Sequence, residues 1–218
     1  ALTAPHTPTS PGEKFQGKAE LGLYGDFVME VDHAVDRVQS ALRKHGFDRN
    51  TLVLFSSDHG AASYAGNVRK ATADQIKLLE KKGHYSSGPY KGYKFSVYEG
   101  GLRVPLIAKW PGVSPAGTVC DRMVGLNDLF ATLAEVAGHE LPRDAAPDSI
   151  SFLSLLKNPK GKATRTNLVM QSVGPMVIRE NNWKLCFCPG SGSNGPFAYE
   201  PKSGPAWQEA LASYGKKP

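Results

Sequence analysis

The chain has 218 residues, of which 40% are hydrophobic and 21% are charged, and its formal net charge is +6. This composition is ordinary for a globular domain and is sufficient for one sizeable core with a small appended domain. No apolar stretch approaches the roughly 20 residues that a membrane-spanning helix needs. The basic residues are scattered, and no zinc-finger spacing, aromatic RNA-binding signature or basic helix is present, which argues against nucleic-acid binding. The odd number of cysteines, three, gives no disulfide framework.

The first predicted elements are a long helix and a strand. Apolar residues recur at three- and four-residue steps over residues 22–44, which predicts an amphipathic helix ending at His45-Gly46. The uncharged run 51–57 predicts a strand buried on both faces, as in a parallel or mixed sheet flanked by helices. This helix-to-strand alternation indicates an α/β fold.

The middle of the chain combines a long loop with three further elements. Residues 61–93 are rich in Gly, Ser, Tyr and Lys, with a short helix predicted over 73–82. A second strand is predicted over 104–110, and a helix over 126–136 begins near Asn127 or Asp128. A long loop beside a strand end is more often functional than idle, so the 61–93 segment is a candidate for site residues.

The last part of the chain has a different pattern. Short apolar segments separated by turn residues predict three strands over 167–171, 176–179 and 183–188, which we interpret as an antiparallel subdomain. A terminal helix is predicted over 207–214. We therefore divide the chain into a main α/β domain, residues 1–165, and a small C-terminal subdomain with a tail, residues 166–218.

The most informative stretch is Thr51-Leu-Val-Leu-Phe-Ser-Ser-Asp-His-Gly60. The predicted strand stops at two candidate metal ligands, Asp58 and His59, and at Gly60, which permits a sharp turn. In open α/β sheets, ligands bind beyond the carboxyl ends of the strands. Taken alone, the same residues are equally compatible with an ordinary turn after a core strand.

Two other segments change that balance. They are Lys94-Phe-Ser-Val-Tyr-Glu-Gly-Gly-Leu-Arg-Val-Pro-Leu-Ile-Ala-Lys-Trp-Pro-Gly112 and Ala4-Pro-His-Thr-Pro8. Together with the Asp-His-Gly triplet, they make the chain resemble the second half of a type I sulfatase of the alkaline phosphatase-like superfamily. The resemblance extends from about Pro5 to about Leu185. It implies part of a mixed sheet flanked by helices, followed by a small antiparallel subdomain.

The resemblance also exposes an absence. Sulfatases carry a Cys-x-Pro/Ala-x-Arg motif whose cysteine or serine becomes formylglycine, the nucleophile, and none of Cys120, Cys186 and Cys188 lies in such a motif. The paired N-terminal acidic metal ligands are not visible either. We therefore interpret the chain as a C-terminal fragment that is inactive alone, with the missing N-terminal half as its partner. The resemblance implies that the whole enzyme is periplasmic, secreted or lysosomal.

The resemblance implies roles for five residues. Asp58 and His59 would help to hold one divalent ion, calcium by the family pattern, although an imidazole ligand leaves manganese, magnesium and zinc as alternatives. Lys94 would stabilise charge on the sulfate and leaving-group oxygens. His6 would contact the sulfate and protonate the leaving oxygen, and His84 is a weaker candidate for substrate contact.

The Glu99-Gly-Gly101 turn with Arg103 is interpreted as structural. Two glycines permit a tight turn or a close backbone approach, and Glu99 and Arg103 are spaced to form an ion pair that braces the loop carrying Lys94.

The leading functional hypothesis is hydrolysis of an aryl or carbohydrate sulfate ester. A phosphodiesterase or phosphonate hydrolase of the same superfamily is the enzymatic alternative, favoured if the missing nucleophile is Thr or Ser. A non-catalytic remnant that acts as a binding subunit is the alternative from another class, because the nucleophile and half of the metal ligands are absent.

Overall fold

The longest element is helix α1, Leu23–Lys44, in the computed structural model, which describes residues 1–68 and 74–193. The predicted helix over 22–44 is confirmed. It ends at His45, and Gly46 follows with a φ of 74°, a left-handed conformation that glycine adopts without steric cost. Within the described ranges no helix is both long and apolar enough to cross a membrane.

Asp26 fixes the chain that leads into α1. Its buried carboxylate accepts backbone N–H groups from Ala19, Gly17 and Lys18. The bond from Ala19 is the main reason that the pKa of Asp26 is lowered, against the opposing effect of burial. The carboxylate therefore acts as a polar anchor between the N-terminal segment and the first turn of the helix.

The main domain contains a two-stranded antiparallel sheet. Strand β1, Val53–Ser56, pairs with β2, Leu106–Lys109, in a register that places Phe55 opposite Ile107. Both predicted strands exist but are shorter than predicted. The prediction that the first strand is buried on both faces is wrong: all four residues of β1 are half-buried. Within the described residues β1 has one strand neighbour, and only part of the sheet is covered by apolar side chains.

The main hydrophobic cluster covers one side of this sheet. Helix α5, Leu153–Lys157, contributes Leu153, Leu155 and Leu156, which pack with Phe152. Partly buried residues from β2, from helix α4 (Asp128–Val136) and from the neighbouring loops complete the cluster, and they are Leu52, Leu106, Ala108, Trp110, Val124, Leu129 and Val136. Burial of such side chains contributes about 1.5–3 kcal/mol each, so this cluster fixes the position of the sheet.

Three shorter helices complete the main domain. Helix α2, Asp74–Lys81, confirms the helix predicted within the long loop. The predicted Glu-Gly-Gly turn is a one-turn helix, α3, Glu99–Leu102. Helix α4, Asp128–Val136, begins after Asn127, as predicted.

The C-terminal part forms the predicted antiparallel sheet of three strands in the order β3–β4–β5. The strands are β3, Asn167–Gln171, β4, Met176–Glu180, and β5, Trp183–Cys186. Arg165 ties this sheet to α4, because its guanidinium forms a buried ion pair with Asp128. The helix predicted over 207–214 lies outside the described residues, and the domain boundary at 165/166 stays a prediction.

Candidate active site

Asp58 and His59 lie in the bend that follows β1. The Oδ2 atom of Asp58 and the Nε2 atom of His59 are 3.3 Å apart, and the side chains are 83% and 34% exposed. The bend is held locally, since Ser57 donates its hydroxyl to the carbonyl of His59 and the His59 N–H binds the Asp58 carboxylate. The two side chains therefore present one oxygen and one nitrogen on the same side of the chain.

This pair fits a partial metal site. The Nδ1 atom of His59 is 2.9 Å from the carbonyl oxygen of Gly60, which can only accept, so Nδ1 carries a proton, and in the neutral ring Nε2 keeps the lone pair that a metal ion would bind. Two ligands that each lie about 2.2 Å from one ion are separated by about 3 Å when adjacent in an octahedron. In the described part of the chain, however, no group of three His, Cys, Asp or Glu side chains converges. A metal ion bound by Asp58 and His59 would therefore need further ligands.

Gly60 is needed for a close approach of two backbones. Its N–H donates to the carbonyl of Gly101 at 3.0 Å, and a Cβ at this position would lie 1.9 Å from the carbonyl oxygen of Gly100. The sequence predicted a sharp turn as the reason for this glycine. The structure has a bend over residues 58–60 and shows in addition that any side chain at Gly60 would collide with α3, so the Asp58–His59 bend is fixed against the Glu-Gly-Gly helix.

Lys94, His6 and Tyr64 meet beside this bend. The Nζ atom of Lys94 is 3.4 Å from the Nε2 atom of His6, and the Tyr64 hydroxyl is 3.0 Å from the same nitrogen. The Tyr64 ring packs edge-on against the His6 ring, with centroids 5.1 Å apart, and Lys94 lies over the Tyr64 ring. The backbone N–H of Lys94 donates to Ala61, which brings the lysine segment next to the residues that follow Gly60.

The hydrogen bonds define the protonation of His6. Its Nδ1 atom binds the carbonyl oxygen of Thr7, which can only accept, so Nδ1 carries a proton. In the neutral ring Nε2 is then the acceptor for Tyr64 and Lys94. His6 must gain a second proton before it can donate one from Nε2. Thr7 also donates its hydroxyl to the carbonyl of Tyr64, and this bond holds the His6 segment against the loop that contains Tyr64.

His84 lies after α2, where its backbone N–H donates to Leu79. Its ring packs against Tyr24 of α1, with centroids 5.5 Å apart, and burial lowers the pKa of His84. A neutral ring is therefore favoured. The predicted substrate contact of His84 stays a prediction.

Glu99 holds the Lys94 segment against the C-terminal sheet. Its carboxylate is 2.7 Å from Arg179 of β4 and 2.9 Å from Lys184 of β5, whereas the predicted partner Arg103 is 3.9 Å away. Burial raises the pKa of Glu99, but the hydrogen bond and charge of Lys184, with the charges of Arg179 and Arg103, outweigh it, and the net pKa is lowered.

Sequence reasoning missed Tyr64, Arg179 and Lys184. Tyr64 lies in an unremarkable Ala-Ala-Ser-Tyr stretch, and the two basic residues are more than 75 positions from Glu99. Arg179 and Lys184 lie on the same face of the sheet, because they stand opposite each other in the register of β4 and β5. No local pattern revealed which carboxylate they would meet.

The comparisons with known proteins identify the family of the chain. A family model described as Sulfatase matches residues 1–139, so the chain belongs to the sulfatase family. It is 33% identical over 210 residues to N-acetylgalactosamine-6-sulfatase of Sus scrofa. This match covers 89% of this chain and 38% of that protein. It is 35% identical over 163 residues to arylsulfatase D of Homo sapiens, which covers 72% of this chain and 25% of that protein.

Solved structures give the fold. A structure from work on the metabolism of multiple glycosaminoglycans by Bacteroides thetaiotaomicron superposes with a TM-score of 0.77 at 28% identity, over 88% of this chain and 39% of that one. A sulfatase from Pseudoalteromonas sp. gives a TM-score of 0.70 at 26% identity, over 91% and 38%. The predicted fold class, the alkaline phosphatase-like α/β fold of sulfatases, is confirmed. The chain spans 38% or less of the length of these curated relatives and 39% or less of the length of these solved structures.

Proposed function

We propose that this chain carries the sulfate-binding part of a sulfuric ester hydrolase that acts on carbohydrate or aryl sulfates. The observation that carries the proposal is the meeting of Lys94 Nζ and Tyr64 OH at Nε2 of His6, beside the bend that bears Asp58 and His59. The ammonium group of Lys94 and a doubly protonated His6 ring are donors from which a sulfate oxygen can accept hydrogen bonds, and the Tyr64 hydroxyl holds the His6 ring. The names of the relatives favour sulfate over phosphate esters.

In this proposal Lys94 and His6 divide the work on the substrate. Lys94 donates hydrogen bonds to the sulfate and to the oxygen that gains charge as the S–O bond breaks. His6, held by Thr7 through Nδ1, would release a proton from Nε2 to the leaving alcohol when it is doubly protonated. Tyr64 orients the His6 ring from the side opposite to solvent, because Tyr64 is buried and His6 is exposed.

A divalent ion and the nucleophile would complete the site formed by Lys94 and His6. Asp58 and His59 would hold a divalent ion, calcium by the family pattern, together with ligands from the N-terminal half; the ion supplies positive charge for the sulfate oxygens. The formylglycine nucleophile would also belong to that half, since no cysteine of this sequence lies in a Cys-x-Pro/Ala-x-Arg motif.

The test is a titration of the 218-residue chain with inorganic sulfate, followed through the ring resonances of His6. Lys94→Ala should weaken sulfate binding by about tenfold or more, because a charge-assisted hydrogen bond contributes roughly 1.5–3 kcal/mol. Lys91→Ala is the matched control, since Lys91 is an exposed lysine on the same segment. Equal affinities of the two variants would contradict the role of Lys94.

We also expect the purified chain to hydrolyse no chromogenic aryl sulfate above background. Positioning groups and donors accelerate only a reaction that has an attacking group. Robust turnover that survives further purification would contradict the assignment of the nucleophile to another part of the enzyme.

A further inference from the structure

The segment that carries Lys94 contains a backbone conformation that its own sequence does not favour. Phe95 has a φ of 77°, in the left-handed region, where a bulky aromatic residue is an outlier. Such a conformation costs free energy and persists only when the surrounding structure holds it. It immediately follows Lys94, so it sets the direction in which the chain leaves the lysine.

The C-terminal sheet supplies the groups that hold this conformation. Ser172, in the turn between β3 and β4, donates its hydroxyl to the carbonyl oxygen of Phe95 at 2.7 Å. The N–H of Val97 donates to the carbonyl of Ser191, which lies just after β5, at 2.8 Å. Val97 is fully buried at this contact.

The opposite side of the segment is held by the loop that follows β1. The N–H of Lys94 donates to the carbonyl of Ala61 at 2.7 Å, and the Phe95 ring packs against the small cluster that contains Tyr64. The segment is therefore held between the loop after β1 and the C-terminal sheet, and Ser172 donates a side-chain hydrogen bond from that sheet to the residue next to Lys94.

From these contacts we infer that Ser172 is a positioning residue for Lys94: by holding the carbonyl of Phe95 it keeps Phe95 left-handed and the Lys94 ammonium at His6. This inference rests on the proposed role of Lys94 in sulfate binding. Ser172 itself touches no reacting atom in this proposal. It acts through the backbone, and the hydroxyl is the only part of its side chain that the role requires.

The experiment compares Ser172→Ala, Ser172→Thr and Ser149→Ala in the full 218-residue chain. Ser149 is the matched control, because its hydroxyl also donates to a backbone carbonyl, that of Asn127, at 2.7 Å, but beside α4. Two quantities are measured: the affinity for inorganic sulfate at His6, and amide hydrogen exchange at Lys94 and Val97.

Ser172→Ala should weaken sulfate binding about fivefold to tenfold and accelerate exchange at Lys94 and Val97 about tenfold. Ser172→Thr, which keeps the hydroxyl, should restore both quantities. Ser149→Ala should lower thermal stability while leaving both unchanged. A purely structural role for Ser172 would instead lower stability in the same way as Ser149→Ala, with sulfate affinity intact, and that result would overturn the inference.

The experiment separates the proposed sulfate binding from the positioning role of Ser172. If Lys94→Ala weakens sulfate binding and Ser172→Ala does not, the proposed function stands and the positioning role of Ser172 is wrong. If the unmodified chain shows no Lys94-dependent sulfate binding, yet Ser172→Ala still accelerates exchange at Lys94 and Val97, the proposed function fails, and the Ser172 bond serves the fold alone.

Discussion

The Lys94 segment and the Asp58–His59 bend lie side by side but are built differently. The Lys94 segment is held by the loop after β1, by the C-terminal sheet and by the ion pairs of Glu99. The Asp58 carboxylate is 83% exposed, and its hydrogen bond is to the next residue in the chain. This chain thus holds Lys94 through long-range contacts, whereas Asp58 and His59, the proposed metal ligands, lie on a locally stabilised bend.

The largest expected effect lies where the two regions touch. Gly60→Ala should cost about 3 kcal/mol of unfolding free energy, because the new methyl group would collide with the backbone of Gly100, which cannot give way as a side chain can. Gly12→Ala is the control, since a Cβ there would make an ordinary contact with Glu30 at 3.5 Å. Chemical denaturation measures the unfolding free energy of both variants. Equal values for Gly60→Ala and Gly12→Ala would show that Gly60 does not pack against the backbone of Gly100.

An intermediate effect is expected at Glu99, which belongs to the strongly held region. Glu99→Gln should cost about 2 kcal/mol at neutral pH, because two charge-assisted hydrogen bonds are weakened. Glu135→Gln, on the exposed side of α4, should change the stability by no more than about 0.5 kcal/mol.

The pH dependence of the stability difference between the Glu99→Gln variant and the unmodified chain is a sharper test. Because the pKa of Glu99 is lowered in the folded chain, its stabilisation is complete above the ordinary carboxyl pKa of about 4.3 and is lost as the pH falls through the lowered value. The difference between the Glu99→Gln variant and the unmodified chain should therefore vanish in acid. Denaturation curves from pH 7 to pH 3 would show it, and a constant difference would argue against the ion pairs.

The smallest effect on stability is expected at Asp58. Asp58→Ala should change the unfolding free energy by less than about 0.5 kcal/mol, because the side chain is 83% exposed. The same variant should abolish the weak binding of calcium or manganese that we expect of the unmodified chain, followed by calorimetry or by manganese-induced broadening at His59. Asp32→Ala, on the surface of α1, is the control; equal metal binding by both variants would remove Asp58 from the ligand set.

The sequence alone determined the order and type of the main elements. Periodicity of apolar residues defined α1 and the strands, because a helix and a strand place side chains on one face at different spacings. The motifs around Gly60, Lys94 and the Glu-Gly-Gly segment indicated the family, since these are local patterns of contiguous residues.

Tertiary structure decided which distant residues meet. The contacts of Glu99 with Arg179 and Lys184, of Phe95 with Ser172, and of His6 with Tyr64 join positions that are 58 to 85 residues apart. It also decided that Gly60 is required by the approach of another backbone, and that β1 is half-buried. Periodicity reports the face on which a side chain lies, but the partner on that face depends on how separate elements pack, which no local pattern encodes.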